Sequence, residues 1–200
     1  MIDPDAALAR SRVIVTTSRA PSPRTRSFVK DLVSVTPGGL KVNRGHLTLD
    51  ELAVLAVEQG ADRVVIVGER RGNPSIIRVY TPRGRPPRLV NIVTFIVKGV
   101  GLSREVGRPQ PSTPQTLYVD PQHESVYDFS DAFITAFHAR LLVSGRKPGG
   151  RDIIARIRPL NADSGIALIE YEQGGRLVGP RIKVARPLRM VKEGERESGS

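Results

Sequence analysis

The sequence feature that most constrains the fold is a strand that runs through a polar loop directly into a helix. The run RVIVTT, Arg12 to Thr17, is apolar and β-branched, which is typical of a buried strand. Ser22 before Pro23 provides a helix cap with proline at the first helical position. Apolar residues then recur at helical spacing: Phe28, Val29, Leu32 and Val33. Because Pro37-Gly38-Gly39 ends this pattern, the segment predicts a strand, loop and helix unit of an α/β fold.

A second helix is predicted by the capping box of Thr48 and Glu51, and Gly60 should end it. Five apolar residues of this helix are expected to face a core: Leu49, Leu52, Ala53, Leu55 and Ala56. Strands should follow at residues 63–67, 76–80 and 89–97, with a turn at residues 71–74. The first half of the chain is therefore predicted to be mixed α/β.

The second half of the chain repeats this scheme more loosely. A strand at residues 116–119 and an amphipathic helix at residues 128–143 should precede three more strands. Those strands are expected at residues 152–157, 166–171 and 181–185, separated by turns that contain glycine.

We interpret the chain as one domain over residues 11–190 with short tails at residues 1–10 and 191–200. Its two halves should cover about residues 11–98 and 115–190, joined by a connection at about residues 99–114. Identity between the halves is too low to demonstrate a duplication, so their relationship is an inference from the similar order of elements.

The charge of the chain indicates a polyanionic partner. The formal net charge is +11, from 31 basic and 20 acidic side chains, and 25 of the basic ones are Arg, whose planar fork binds phosphate bidentately. Residues 10–46, 63–108 and 140–189 carry +7, +8 and +7, whereas residues 47–62 and 109–139 hold four acids each and no Lys or Arg. A single basic face that binds nucleic acid is the favoured interpretation. Anionic lipid, a genome that favours Arg and a mixed solvated surface are the alternatives.

Several classes of protein are disfavoured. No apolar run reaches the roughly 18 to 20 residues that span a bilayer, and the N-terminus lacks the layout of a signal peptide, so we expect a cytoplasmic protein without a membrane partner. The absence of Cys excludes disulfides and thiolate nucleophiles. His46, His123 and His138 lack metal-ligand spacing, and Glu170 and Glu172 alternate like two exposed carboxylates. The glycine-rich segment GRKPGGR lacks the ending of a P-loop. We therefore predict no catalytic residue, no metal and no cofactor.

The loop between the first strand and the first helix has the layout of a phosphate site. In TTSRAPSPRTRSF, residues 16–28, hydroxyl groups, backbone N–H groups at a helix N-terminus and Arg forks are expected to converge on one small volume. The residues predicted to contact RNA there are Thr17, Ser18, Arg19, Ser22, Arg24 and Arg26. A capped helix with exposed arginines is the alternative.

Eight further basic residues are candidates for RNA contact: Arg70, Arg71, Arg83, Arg85, Arg88, Arg181, Lys183 and Arg186. The first two precede a tight turn, and the next three lie among prolines and glycine in a predicted loop. Arg181 and Lys183 alternate along one face of a predicted strand. The alternative for the turn is that its arginines are only solvated, and the alternative for the loop is that it makes the protein soluble. For the strand, the alternative is an edge strand protected by basic residues.

Three segments of the sequence resemble the Brix-domain proteins of ribosome biogenesis. They are TTSRAPSPRTRSF, then RGHLTLDELAVLAVEQGADRVVIVGERRGNP, and finally GGRLVGPRIKVARPLRMV, in the order that the family shows. The chain looks most like the archaeal members and the eukaryotic small-subunit pre-rRNA-processing relatives, although it departs from the eukaryotic pattern over residues 82–97. The resemblance implies two related α/β halves, each similar to the anticodon-binding domain of class II aminoacyl-tRNA synthetases. It also places Arg181 in a family motif.

The resemblance further implies binding to ribosomal RNA precursors. The leading interpretation is a non-catalytic factor that binds rRNA or pre-rRNA during small-subunit assembly, with other ribosome assembly proteins as further partners. A metal-dependent RNA-processing nuclease and a tRNA-binding module are the alternatives. Caps and the helix dipole already explain the acids at the predicted helix starts, Asp50, Glu51, Asp128 and Asp131, which disfavours the nuclease. The oligomeric state is not predicted.

Overall fold

Ten strands and three α-helices are formed by the described part of the computed structural model, which comprises residues 12–161, 164–185 and 187. The strands are β1 (Arg12–Thr17), β2 (Gly39–Lys41), β3 (Ala61–Arg70), β4 (Asn73–Arg83), β5 (Arg88–Gly101), β6 (Leu117–Pro121), β7 (Arg140–Leu141), β8 (Ile153–Pro159), β9 (Ile166–Gln173) and β10 (Arg176–Ala185). The helices are α1 (Pro23–Ser34), α2 (Leu49–Glu58) and α3 (Tyr127–Phe137), and a 3₁₀ turn at Glu124–Val126 precedes α3. The predicted mixed α/β class is confirmed.

All ten strands belong to one sheet, in the order β2-β1-β3-β4-β5-β10-β9-β8-β6-β7. Strand β1 runs parallel to β2 and β3, and β6 runs parallel to β7 and β8. The other neighbouring strands are antiparallel, including the central pair β5 and β10. From either edge toward the centre, the sheet therefore has the same sequence of pairings: two parallel pairs followed by two antiparallel pairs.

The two faces of the sheet are covered unequally. Helices α1 and α3 pack on one face over a continuous apolar cluster, in which the rings of Phe95 and Phe129 stack 6.2 Å apart. Helix α2 packs on the other face over a smaller cluster that includes Ile14, Val64 and Ile66. Helix α2 also contacts the hairpin ends of β4 and β5, where Tyr80 and Leu89 pack against this cluster. Within the described ranges, no helix covers the rest of this second face, from the other ends of β4 and β5 across β10 and β9 to β8. We call this uncovered part the open face.

Both helices of the first half begin at the predicted caps. The hydroxyl of Ser22 caps α1, and Thr48 and Glu51 form a reciprocal capping box at the start of α2. Of the five residues of α2 that were expected in the core, three are buried and Leu55 is partly buried. Leu49 is 44% exposed, so its predicted burial is wrong. It is the first helical residue and lies outside the cluster beneath α2.

Several predicted boundaries are wrong because pairing between distant segments overrides the local pattern. The helix predicted over residues 128–143 ends at Phe137, since His138 has a left-handed backbone (φ 51°) and Arg140–Leu141 pairs with β6. The strand predicted over residues 89–97 continues to Gly101, because its end pairs with β10. The short strand β2 is not predicted, and the turn between β3 and β4 narrows to Arg71–Gly72.

Candidate nucleic-acid interface

The N-terminus of α1 is filled by protein groups. The Ser22 hydroxyl accepts a hydrogen bond from the Thr25 N–H at 3.2 Å and donates one to the Gly72 carbonyl at 2.9 Å. The carboxylate of Glu69, at the end of β3, accepts a hydrogen bond from the Ser22 N–H at 2.8 Å. Hydrogen bonds from the Thr25 side chain and the Ser22 backbone lower the pKa of the Glu69 carboxyl. The carboxylate of Glu69 therefore lies at the helix N-terminus, where the sequence predicts a phosphate. Binding of RNA at this loop stays a prediction.

Arg24 is held by the connection that follows β5. Its two Nη groups bind the two carboxylate oxygens of Glu105, and Nη2 also donates to the Val100 carbonyl at 3.0 Å. The hydrogen bond from Arg24 lowers the pKa of the Glu105 carboxyl. Both Nη groups of Arg24 are therefore used within the protein, while Nε is buried without a partner. The contact of Arg24 with RNA stays a prediction.

The other predicted residues of this loop differ in accessibility. Thr17 is buried at the end of β1, and the Ser18 N–H donates to the Val67 carbonyl at 2.8 Å. Arg19 and Arg26 are both exposed, and Nη1 of Arg26 donates to the Pro21 carbonyl at 2.9 Å. The two exposed arginines are therefore the groups of this loop that a polyanion can reach.

The turn between β3 and β4 brings Arg70 and Arg71 to the same end of the sheet. Both side chains are exposed. Arg71 and Gly72 have φ angles of 51° and 76°, as in a two-residue type I′ turn. The hydrogen bond from Ser22 to the Gly72 carbonyl fixes this turn against the start of α1. The turn therefore adds two exposed cations beside those of the β1–α1 loop.

The arginines of the β4–β5 hairpin lie at the opposite end of the sheet. Arg83 pairs with Arg88 beside the hairpin tip, toward the start of β3, and Arg85 lies in the tip itself. All three are exposed, and Arg88 lines an apolar groove together with residues of α2. The structure does not bring these three residues together with the other predicted contacts.

Four basic residues form a row on the open face across three neighbouring strands. This basic row consists of Arg78 on β4, Lys98 on β5, and Arg181 and Lys183 on β10. The prediction that Arg181 and Lys183 share one face is confirmed, because the intervening Ile182 is buried in the core on the other face. The edge-strand alternative is wrong, because β10 pairs with both β5 and β9. Arg186 lies outside the described residues.

The members of the basic row have no ion pair with any residue that the structure describes. The next strands of the same face differ in this respect. Arg156 on β8 binds Glu172 at 2.9 Å and Asp120 at 3.3 Å, and Arg158 pairs with Glu170 at 3.6 Å. The hydrogen bond to Glu172 raises the pKa of the Arg156 guanidinium. The open face is therefore electrically compensated over β8 and β9 and uncompensated along the basic row.

Two members of the basic row are not predicted from the sequence. Arg78 lies between Ile77 and Val79, which are buried on the helix-covered face, and Lys98 follows the buried Val97. Each is a single cation in an otherwise apolar stretch, which indicates that it faces away from the core. The sequence contains no signal that β10 pairs with β5, and this pairing completes the row.

Four of the five residues that were considered for catalysis have structural partners, and His46 is exposed. His138 pairs with Asp62 at 2.8 Å, and Nδ1 of His123 accepts the Ser125 N–H at the 3₁₀ turn. Glu170 and Glu172, predicted as exposed, are partly buried because arginines bind them. Over the described ranges, no group of three or more acidic or histidine residues is arranged to hold a metal ion. None of the helices placed by the structure is long and apolar enough to cross a bilayer.

Comparison with known proteins gives relatives that match nearly the whole chain. A probable Brix domain-containing ribosomal biogenesis protein from Aeropyrum pernix is 46% identical over 185 residues, which are 91% of this chain and 99% of that protein. A protein of the same description from Thermococcus kodakarensis is 29% identical over 188 residues, covering 90% of this chain and 89% of its own. No family model matches the chain.

Two crystal structures are similar to the computed one. That of a probable ribosomal biogenesis protein from Aeropyrum pernix has a TM-score of 0.81 at 47% identity and covers 91% of this chain and 99% of its own. That of an archaeal Imp4-like protein has a TM-score of 0.60 at 21% identity and covers 87% of this chain and 97% of its own. The second likeness is evidence of a shared fold.

Proposed function

Because this chain belongs to the Brix domain-containing ribosomal biogenesis proteins, we propose that it binds rRNA or pre-rRNA as a non-catalytic factor of small-subunit assembly. The observation that carries the proposal is the basic row, Arg78, Lys98, Arg181 and Lys183, on the part of the sheet face that no described helix covers. Other ribosome assembly proteins are proposed as further partners. The cytoplasmic location stays a prediction.

The basic row suits a phosphate backbone for a physical reason. Cations without a protein counterion attract polyanions, and each phosphate that they neutralise releases condensed ions from the RNA. Lys183 and Arg181 lie opposite Gly99 and Gly101 on β5, so the neighbouring strand places no side chain over them. An RNA backbone can therefore approach Lys183 closely over Gly99, whereas the side chain of Val106 occupies the space over Gly101 beside Arg181.

The pairing pattern of the sheet supports two related halves. Strands β1 to β5 and strands β6 to β10 repeat the same parallel and antiparallel neighbours, and β5 meets β10 in the centre. We propose that the halves are related, with boundaries near residues 11–98 and 115–190. Their likeness to the anticodon-binding domain of class II aminoacyl-tRNA synthetases remains part of this proposal.

The experiment compares the wild-type protein with the double variant Arg181→Glu/Lys183→Glu in binding to labelled small-subunit rRNA fragments over a range of salt concentrations. We expect the affinity to fall at least tenfold and the slope of log K against log salt to decrease by roughly 2. The matched control is Lys30→Glu/Lys41→Glu, which makes the same change of charge at exposed residues of α1 and β2.

A salt-independent affinity of the wild-type protein, or equal losses in the two double variants, would contradict the proposal. Preference for tRNA over rRNA fragments would favour the tRNA-binding alternative. Magnesium-dependent cleavage of the fragments would favour the nuclease.

A further inference from the structure

The carboxyl ends of β1, β2 and β3 meet at one edge of the sheet, the position at which open α/β sheets bind ligands. The three strands are parallel, with β1 in the middle. Strand β1 leads to α1 on one face of the sheet, whereas β2 leads to α2 on the other. The chain therefore separates to both faces at adjacent strands, and ligands bind in such sheets at this switch point. We call this place, between the loops that carry Arg19 and Arg44, the carboxyl-end crevice.

Arg44, in the loop between β2 and α2, is a buried cation at this crevice. It is 8% exposed, and no described residue donates to, accepts from or forms an ion pair with its side chain. Its Nε is buried without a hydrogen-bond partner. The hydroxyl of Thr16, one residue before the end of β1, is likewise buried and without a partner. Buried polar groups are normally paired, so these two atoms are exceptions, while the Nη groups of Arg44 are not among the buried unpaired atoms and reach solvent.

A second cation lies close enough to act on Arg44. Burial, and after it the charge of Arg19, lower the pKa of the Arg44 guanidinium. Arg19 itself is exposed, so its guanidinium can reach an anion from solvent. The two arginines come from the two loops that follow β1 and β2, and the crevice concentrates positive charge.

The neighbouring carboxylate does not neutralise the pair. Glu51 lies near enough to Arg19 to feel its charge, but one of its oxygens accepts the Thr48 N–H at 2.7 Å and the Thr48 hydroxyl at 2.9 Å. These hydrogen bonds, more than Arg19, lower the pKa of the Glu51 carboxyl. Glu51 therefore serves as the cap of α2. Within the described part of the chain, the positive charges of Arg19 and Arg44 are left without a carboxylate that binds them.

We propose that the carboxyl-end crevice binds one phosphate group between Arg19 and Arg44. A phosphate has the oxygens to accept from two guanidinium groups at once and would supply the missing counterion. Arg181 and Lys183 of the basic row lie on β10, five strands away from β2 in the sheet order, whereas Arg78 on β4 is in register with Ile66 and Thr16, two strands from β1. The assignment of this phosphate to an RNA backbone rests on the proposed function, whereas a free phosphate ion has the same chemistry.

The first test measures thermal unfolding against inorganic phosphate at constant ionic strength, with chloride as the reference salt. We expect a saturable rise in the Tm of the wild-type protein, roughly 3 °C at about ten times the Kd. Arg44→Met should abolish this response. Without phosphate, this variant should unfold at about the same temperature as the wild type, because the guanidinium has no described protein partner to lose and Met keeps the apolar stem of the side chain. Lys30→Met, an exposed change on α1, is the control and should keep the full response.

A Tm that does not respond to phosphate, or that responds equally in wild type and Arg44→Met, overturns the proposal. A large fall in Tm of Arg44→Met without phosphate also overturns it, because it would show that the guanidinium already has a stabilising partner. Arg19→Gln is a second test variant, and because Arg19 is exposed, this substitution should not disturb the packing of the core. It should weaken phosphate binding several-fold without changing the Tm of the phosphate-free protein.

The second test separates the sources of the phosphate. Binding of a single-stranded uridine oligonucleotide is measured for the wild type, for Arg44→Met and for the basic-row variant Arg181→Glu/Lys183→Glu. A loss of about fivefold with Arg44→Met and a salt slope smaller by about 1 supports an RNA phosphate in the crevice. Unchanged RNA binding in Arg44→Met, with a loss in the basic-row variant, overturns the RNA assignment and leaves a free phosphate ion. Absence of RNA binding by the wild type contradicts the proposed function. The phosphate site is tested separately by the response of the Tm to inorganic phosphate.

Discussion

Arg24 and Glu105 form a bidentate ion pair that joins α1 to the connection between β5 and β6. Nη2 of Arg24 lies 2.9 Å from one carboxylate oxygen, and Nη1 binds the other. The side chains are 32% and 36% exposed, so solvent screens part of the attraction. The pair explains why an arginine that the sequence assigns to RNA is needed for the fold.

We expect Arg24→Ala to lower the free energy of unfolding by roughly 1 kcal/mol, because a partly exposed ion pair and a hydrogen bond to the Val100 carbonyl are lost. Chemical denaturation measures this change. RNA affinity per folded molecule should stay within twofold of the wild type. A loss of RNA affinity with an unchanged free energy of unfolding would instead support a direct contact between Arg24 and RNA.

The buried carboxylate of Asp31 makes a second link between α1 and the connection. It accepts the Ser103 N–H and the Gln110 side-chain N–H, both at 2.8 Å. Asp31→Ala leaves a buried backbone donor unsatisfied, so we expect a loss of roughly 2 to 3 kcal/mol, seen as a fall in Tm of several degrees. Asp31→Asn keeps one acceptor oxygen and should lose less. Equal losses in the two variants would show that packing, and not hydrogen bonding, dominates at this position.

The stability of the protein should decrease in acid because of Glu69. Hydrogen bonds from Thr25 and Ser22 lower its pKa in the folded state below the ordinary value of 4.5. A depressed folded pKa contributes stability that is fully present above the unfolded pKa and is lost as the pH falls through the folded pKa. Glu51 and Glu105, whose pKa values are also lowered, act in the same direction.

Denaturant unfolding of wild type and Glu69→Gln from pH 7 to pH 3 measures this effect. The difference in the free energy of unfolding should be largest above about pH 4.5 and should shrink toward pH 3. Glu58→Gln is the control, since the described part of the structure gives Glu58 no hydrogen bond or ion pair. A pH-independent difference between wild type and Glu69→Gln would contradict the assignment.

Gly179 in the Gly-Pro-Arg segment has a packing reason for being glycine. Its φ is 62°, and an added Cβ would lie 2.4 Å from Cγ1 of Val35 at the end of α1. We expect Gly179→Ala to destabilise the protein by about 2 to 3 kcal/mol, from positive φ and overlap together. In a double-mutant cycle, Val35→Ala should relieve the overlap but not the backbone strain. Strict additivity of the two changes would exclude the predicted contact.

The helix starts could be predicted because their signals are local. Ser22, Thr48 and Glu51 act within three residues of the backbone groups that they cap, so the sequence alone contains the whole interaction. The end of α3 could not be predicted, because the apolar pattern of a helix continues into Arg140–Leu141 and only pairing with β6 turns those residues into a strand.

The candidate interface was also hard to predict, because its contacts join residues that are far apart in the sequence. Arg24 and Glu105 are 81 residues apart, and Ser22 and Glu69 are 47 apart, so the sequence could not show that carboxylates already occupy the predicted phosphate site. The alternation of Arg181 and Lys183 was visible, but the neighbours that extend the row depend on the order of the strands.

The two outermost strands of the sheet, β2 and β7, contain three and two residues. Long exposed edge strands act as templates on which other chains can add a strand and aggregate. With so few backbone groups at either border, this wide sheet offers almost nothing for a foreign strand to extend. We therefore expect partners to bind through its side chains and not by adding a strand to the sheet. For the same reason, strand addition at the sheet edges should contribute little to aggregation.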